Sequence, residues 1–298
     1  MSPAAPAPGH GRYPYAPPPW SLGTRQLPAR PRPLVMGIVN LTPDSFYPAS
    51  RQLDPSLAVA AALAMEKAGA DLLDLGAESS RPGAAGVTAT EEQLRLLPVL
   101  RELRRHSEIP VTVDTTRSET AQLSLEAGAD GINDITAGTG DPELLAVAAA
   151  NDCSLILMHM QGSPRTMQDD PQYADVVTEI GDYLAQRVTA AEAAGVTPAR
   201  IMVDPGIGFG KTLAHNLTLL ARLDRIGRGR PVLVGASRKS FIGDLTGAAV
   251  ADRLGGSLAA LAAAYLAGVR VVRVHDVAES VQFLDTLAAI AAADPSHS

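Results

Sequence analysis

From residue 34 onward, apolar and polar positions follow two alternating rhythms. Short runs rich in β-branched residues are followed by longer Ala/Leu stretches with helical spacing. The short runs predict strands at Leu34–Val39, Asp71–Leu75, Pro110–Val113, Gly131–Ile132, Cys153–Met158, Arg200–Val203, Pro231–Val234 and Val269–Val274. The longer stretches predict helices near 55–69, 91–105, 117–127, 141–151, 173–194, 213–225, 249–267 and 276–292. Asp54-Pro55 and Asp141-Pro142 place an N-cap before a first-turn proline. Thr90 with Gln93, and Thr116 with Glu119, have capping-box spacing. Gly69, Gly128 and Gly195 stand where helices must stop. Ala-Gly-Ala-Asp occurs at 68–71 and again at 127–130, and Ala-Gly-Val at 194–196 and 267–269, which marks the helix-to-strand junctions of one repeated βα unit.

Eight such units over residues 34–292 predict a single (β/α)8 TIM barrel. A doubly wound open sheet is the competing arrangement. The strand ends favour the barrel, because nearly every strand finishes in a polar or Gly-rich cluster while the helix-to-strand junctions are short and bland. In a barrel all of those clusters ring one mouth. Residues 1–33 have a different composition, dominated by Pro, Ala and Gly, with Pro17-Pro18-Pro19 beside Trp20. They predict a disordered extension that the barrel does not need; a proline-motif ligand for a partner domain is the alternative. Residues 293–298 read as a short tail. No basic start leads into an apolar run, so a secretory signal is not expected.

Composition narrows the class. Apolar residues make up 46% of the chain and aromatics only 4%, so Ala, Leu, Val and Ile must fill the interior, as in helix-covered parallel sheets. The net charge of −7 argues against a general nucleic-acid binder. The single cysteine, Cys153, excludes an internal disulfide framework and a cysteine-rich zinc site, and its apolar surroundings suggest a core thiol. The longest uncharged apolar stretch, Leu254–Val269 between Arg253 and Arg270, is short for a bilayer span. These features lead us to expect a soluble, cytoplasmic protein with no membrane or nucleic-acid partner.

The strand ends carry the chemistry. In chain order they read Asn40-Leu-Thr-Pro-Asp-Ser-Phe46, Asp74-Leu-Gly-Ala-Glu-Ser-Ser-Arg-Pro-Gly83, Val113-Asp-Thr-Thr-Arg117, Ile132-Asn-Asp134, Met158-His-Met-Gln-Gly162, Asp204-Pro-Gly-Ile-Gly-Phe-Gly-Lys211, Gly235-Ala-Ser-Arg-Lys-Ser240 and Arg273-Val-His-Asp276. Taken singly, Asp74 or Asp134 is a helix cap, Asn40 a turn residue and Ser237-Arg-Lys-Ser240 a solvated loop. Eight decorated ends at once exceed what capping requires. Gly210-Lys211-Thr212 resembles the end of a phosphate-binding loop, but Pro205 stands where that loop needs its first glycine. Gly206 and Gly208 suit a tight bend beneath a flat ligand, with Phe209 beside it. His159 and His275 lack zinc-site spacing, whereas His275 near Arg273 suits an anion through charge-assisted hydrogen bonds. Asp114, Asn133 and Asp204 suit a ligand rich in N–H donors. Together these describe a donor-rich heterocycle bearing a polyphosphate.

The motifs Met36-Gly-Ile-Val-Asn-Leu-Thr-Pro-Asp-Ser-Phe46, Glu78-Ser-Ser-Arg-Pro-Gly83, Met158-His-Met-Gln-Gly162, Asp204-Pro-Gly-Ile-Gly-Phe-Gly-Lys211, Ser237-Arg-Lys-Ser240 and Arg273-Val-His-Asp-Val277 resemble the dihydropteroate synthase family, in the family's order, over residues 34–292. The resemblance implies a pterin-binding TIM barrel. It implies condensation of 6-hydroxymethyl-7,8-dihydropterin pyrophosphate with p-aminobenzoate, with Mg²⁺ as cofactor and a homodimeric assembly. By that likeness Asp114, Asn133, Asp204 and Lys239 hold the pterin, Arg273 and Met158 stack on it, and Asp74 is a further substrate-binding residue. Asn40 lies near pyrophosphate and Mg²⁺, with His275 and Arg273 on the phosphate oxygens. Phe46, Ser80, Arg81, Pro82, Phe209 and Ser240 frame the aminobenzoate. Asp114, Lys239, Arg273, His275 and Arg81 are the expected catalytic set. The chain departs from the family pattern at Tyr47-Pro48-Ala49-Ser50, at Ser80 for a usual Thr, and at Ala77 for a usual Gly. A pterin-binding methyltransferase domain and a catalytically silent pterin-binding paralogue are the rival readings.

Overall fold

A computed structural model describes residues 15–23, 25, 27–42, 54–79 and 86–293. The eight strands are β1 (Leu34–Asn40), β2 (Leu72–Gly76), β3 (Val111–Asp114), β4 (Gly131–Asp134), β5 (Ser154–Met158), β6 (Ile201–Asp204), β7 (Leu233–Val234) and β8 (Val271–Val274). They pair in parallel in the order β6-β5-β4-β3-β2-β1-β8-β7, and a parallel bridge from Val203 to Val232 joins the two ends. The sheet therefore closes into a barrel rather than remaining open. Among the described residues nine α-helices surround it: α1 (Pro55–Lys67), α2 (Ala89–Arg104), α3 (Ser118–Glu126), α4 (Glu143–Ala150), α5 (Val176–Ala193), α6 (Leu213–Ala221), α7 (Ser240–Thr246), α8 (Leu254–Leu266) and α9 (Val277–Ala292). The short α7 follows β7 directly and was not legible in the sequence, where Ser240 reads as the end of a loop.

Successive strand residues face opposite sides of the sheet. Outward positions such as Val39, Leu75, Val111 and Val113 join helix residues in one buried cluster. Inward positions near the strand starts, Leu34, Met36, Leu72, Ile156, Met202, Leu233 and Val271, form a separate cluster inside the barrel. The next inward positions up the strands are polar on β2, β4, β6 and β8, at Asp74, Asn133, Asp204 and Arg273, and apolar on β1 and β5, at Ile38 and Met158.

Local signals account for the helix ends, with two changes of register. Asp54 accepts the Ser56 N–H at 2.9 Å, as expected of an N-cap. Asp141 accepts the N–H groups of Glu143 and Ser118, so it ties α4 to α3. The capping box expected at Thr90 and Gln93 is not formed. Thr88 is the cap of α2 instead, because the helix begins two residues before the predicted start. Thr116 does not cap α3 either, since Arg117 occupies the N-cap position without a side-chain bond. The repeated Ala-Gly-Ala-Asp phrase has one structural purpose. The Asp71 carboxylate accepts the Val35 N–H and the Asp130 carboxylate accepts the Val111 N–H, both at 2.9 Å, pinning each new strand to its neighbour.

The described residues between 15 and 33 depart from the expected disordered extension. Trp20 and Leu22 are buried against the inner cluster and close the barrel floor. A Cβ at Gly131 would lie 2.9 Å from the Ser154 carbonyl oxygen and 3.1 Å from Leu22 Cδ1, so glycine makes room for the plug. Tyr15 stacks on Tyr265 and donates to the Val269 carbonyl at 2.7 Å. Arg32, only 2% exposed, pairs with the fully buried Asp71 at 2.8 Å and with Asp285 at 2.6 Å. Apolar burial and a desolvated ion pair order this segment despite its composition. Residues 1–14 and 294–298 lie outside the described residues.

Candidate active site

The strand ends bring most of the predicted residues together. Cα pairing sets Asp114 of β3 beside Asn133 of β4, and Met158 of β5 beside Asp204 of β6. Asp74 is one step deeper in β2, opposite Thr112. Asn40 ends β1, half-buried, opposite Gly76.

Asp74 organises this layer. It is completely buried, and one oxygen accepts the Thr112 hydroxyl at 2.6 Å. The other accepts Asn133 Nδ2 at 3.1 Å and Arg273 Nε at 2.6 Å. Both oxygens are thus committed to protein partners, and Asp74 orients two neighbours. Arg273 also reaches Asp114 at 3.2 Å. With Nδ2 spent on Asp74, Asn133 presents its Oδ1, which is buried and has no protein partner. A buried acceptor left unpaired is costly unless a ligand or water satisfies it.

The electrostatics follow from burial. Desolvation pushes Asp114 up to about 7 against the pull of the Arg273 cation. Desolvation likewise raises Asp204 to about 6, although the Gly206 N–H donates to it at 2.7 Å. Lys239 is pushed down to about 8, first by desolvation and then by Arg273. Its ammonium lies 4.0 Å from the centroid of Phe209. Phe209 packs in a buried cluster with Met158 and Met167, so Met158, Phe209 and Lys239 border one face of the mouth. A cavity of about 130 Å³ opens beside Asp114, lined by Glu78, Ser79, Arg117, Ile135 and Met160 among others.

His275 departs from the expected charge-assisted donor. Desolvation, with Arg273 and Arg238 nearby, lowers it to about 4, so the ring is neutral near pH 7. Its Nδ1 is 3.1 Å from the Ser237 hydroxyl. The Arg273 guanidinium itself is engaged by Asp74 and Asp114. Ser240 is exposed at the start of α7. Phe46, Ser80, Arg81 and Pro82, with the departure at Tyr47-Pro48, lie outside the described residues.

Two supporting residues were missed in the sequence. Thr112 shares the inward face with Asp114 at period two, a signal that could have identified it. Arg117 donates to Glu78 at 2.8 Å, to Glu92 at 3.0 Å and to the Val87 carbonyl at 2.7 Å, linking both stems of the β2–α2 connection to β3. These partners are 25 to 39 residues away in the chain, and nothing local announces them.

A family profile described as pterin binding enzyme matches residues 36–275. A dihydropteroate synthase of Synechocystis sp. is 43% identical over 270 residues, covering 90% of this chain and 93% of that protein. The structure of a Xanthomonas albilineans dihydropteroate synthase with 4-aminobenzoic acid superposes with a TM-score of 0.83 at 44% identity, covering 89% of this chain and 94% of that one. A Burkholderia cenocepacia dihydropteroate synthase complexed with 7,8-dihydropteroate superposes with a TM-score of 0.84 at 41% identity, covering 94% and 99%.

Proposed function

The chain belongs to the pterin binding enzyme family, and from that premise we infer that it condenses 6-hydroxymethyl-7,8-dihydropterin pyrophosphate with p-aminobenzoate, giving 7,8-dihydropteroate and pyrophosphate. It is a transferase of folate biosynthesis. The observation in this chain that supports the reading most is the unpartnered Oδ1 of Asn133, flanked on neighbouring strands by Asp114 and, beyond Met158, by Asp204. Three acceptors in a row match the N–H edge of a reduced pterin. Lys239 donates in return, and Met158 offers apolar contact to the ring.

The chemistry asks for little proton transfer. An arylamine is already neutral near pH 7, so its nitrogen attacks the pterin CH₂ without a base. A C–N bond forms, the C–O bond to pyrophosphate breaks, and the amine then loses its proton to solvent. Asp114 stabilises positive charge that spreads into the pterin as the leaving group departs. Arg273 and the N–H of a neutral His275 receive the pyrophosphate, and arrival of that anion draws Arg273 partly away from its carboxylates. Asn40 supplies a single neutral amide oxygen. That donor would hold Mg²⁺, whose charge would offset that of the leaving group. Phe46, Ser80, Arg81, Pro82, Phe209 and Ser240 frame the aminobenzoate in this reading.

The assembly belongs to the same proposal. A homodimer is part of this reading, and Leu217 on α6 and Leu245 on α7, exposed apolar residues on neighbouring helices, are candidates for its surface. Among the described residues no helix is long and apolar enough to cross a membrane, and a cytoplasmic location fits a soluble small-molecule enzyme.

Incubation of the purified protein with Mg²⁺, the pterin pyrophosphate and labelled aminobenzoate should yield labelled dihydropteroate and one pyrophosphate per product. Pterin binding without condensation would instead favour a silent paralogue, and transfer of a methyl group the methyltransferase reading.

The titrating groups predict a bell-shaped pH profile. Asp114 and Asp204 have raised pKa values, so their charges are lost as pH falls through about 7 and then about 6. Lys239 has a lowered pKa, so its donor charge is lost as pH rises through about 8. The kcat/KM for the pterin substrate should therefore peak between about 7 and 8. A flat profile from pH 5 to 10 would remove these groups from pterin recognition and catalysis.

A further inference from the structure

The loop after β6 presses directly on the loop after β5. A Cβ at Gly206 would lie 2.0 Å from the His159 carbonyl oxygen, and Gly206 has φ of +66°, so only glycine permits this approach. Three successive carbonyls beyond it are each taken by a side chain. Gln168 Nε2 donates to Gly208 at 2.9 Å, Lys211 Nζ to Phe209 at 2.7 Å, and the Tyr173 hydroxyl to Gly210 at 2.8 Å.

Lys211 is the interior member of this set. It is 3% exposed. Beyond the Phe209 carbonyl, its ammonium lies 3.1 Å from His159 Nδ1 and 3.4 Å from the His159 carbonyl oxygen. Desolvation, reinforced by Lys211, holds His159 down near 3, so its ring is neutral and Nδ1 can accept. The edge-on ring of Tyr183, 4.9 Å away, fixes the imidazole. Desolvation pushes Lys211 down to about 7 against the pull of Asp204; in its charged form Nζ has three protons, and three protein acceptors use them. Lys211 therefore has nothing left to offer a phosphate, although it ends the glycine loop where a phosphate-binding lysine would stand. Its contacts instead join residue 159, next to Met158, to residue 209. Those two neighbours share one buried cluster, and Lys239 sits over the Phe209 ring.

We propose that Lys211 is a positioning residue whose side-chain nitrogen bolts the β6–α6 glycine loop to the end of β5, and so holds the Phe209 ring against Lys239 in the pterin pocket. Tyr173 and Gln168 assist it through the flanking carbonyls. The consequence for pterin affinity rests on the proposed function; the placement of Phe209 against Lys239 does not.

The chain contains three lysines, Lys67, Lys211 and Lys239, so a protein labelled with ¹³C at lysine gives few signals. The Lys239 methylene beside its ammonium should be displaced by the Phe209 ring current, and the exposed Lys67 supplies the reference. In Lys211→Met the Lys239 signal is expected to move at least halfway to that of Lys67. Calorimetry with a dihydropterin lacking pyrophosphate is expected to show affinity about tenfold weaker, as befits one lost buried hydrogen-bond set. Tyr173→Phe, which removes only the bond to Gly210, should move both readings in the same direction by less. A folded Lys211→Met protein with a lower melting temperature but an unchanged Lys239 signal, or unchanged pterin affinity, would show a merely structural lysine and overturn the proposal. If Lys211→Met does not fold, Tyr173→Phe decides: an unmoved signal refutes positioning. A wild-type protein that binds no pterin would refute the proposed function, while the lysine signals would still report on the bolt.

Discussion

Asp114→Asn is expected to lower kcat/KM by about 10²–10³-fold, the scale for losing one preorganised charge from a desolvated site. The carboxylate stands at the end of β3, where its neighbours are Arg273 and the unpartnered Asn133 oxygen. Asparagine keeps the shape and removes the charge. The fold should tolerate the change, because Arg273 remains bonded to Asp74 at 2.6 Å. The sign of the stability effect follows from the raised pKa. A carboxyl group whose pKa is about 7 when folded and near 4 when unfolded binds its proton more tightly in the native state. Folding therefore loses stability as pH rises between those values, and at pH 8 the buried charge is a burden. The Asn variant should melt at or above the wild-type temperature at pH 8 while turning over poorly. Unchanged kcat with unchanged melting would remove Asp114 from the chemistry.

Deleting residues 1–32 is expected to be the most damaging change to stability. The deletion removes Trp20 and Leu22 from the barrel floor, and large buried side chains contribute about 3–5 kcal/mol each on truncation. It also removes Arg30 and Arg32 from Asp71, whose side chain is fully buried. An uncompensated buried charge costs about 3–5 kcal/mol. Losses of that size approach the whole stability of an ordinary domain, about 5–15 kcal/mol. The shortened chain should either fail to fold or melt at least about 10 °C lower. A chain beginning at Tyr15 keeps all of these contacts and serves as the comparison. A chain beginning at Pro33 that melts like the full protein would show the floor to be energetically idle. This prediction reverses the expectation drawn from composition, and the reversal is instructive. Trp20, Leu22 and Arg32 are scattered among prolines without helical or strand period. Their partners, Asp71 and the inward face of β1, lie in other elements.

What the chain determines locally, the sequence by itself disclosed. Most strands are short apolar runs, most helices longer Ala/Leu stretches with helical spacing, and the junctions carry small motifs such as Ala-Gly-Ala-Asp. Those patterns depend on neighbours a few residues apart. They sufficed for eight βα units and for locating Asn40, Asp114, Asn133, Asp204 and Arg273 at one mouth. Tertiary structure decided what depends on distant partners. Asp74 is the hub beneath the pocket because Thr112, Asn133 and Arg273 converge on it from three other strands. His275 is neutral because folding buries it beside cations. Lys211 is spent inside the protein because His159 and Phe209 meet it there. Burial and the geometry of long-range contacts set the charge and occupancy of a polar group, and neither quantity is written in the residues beside it.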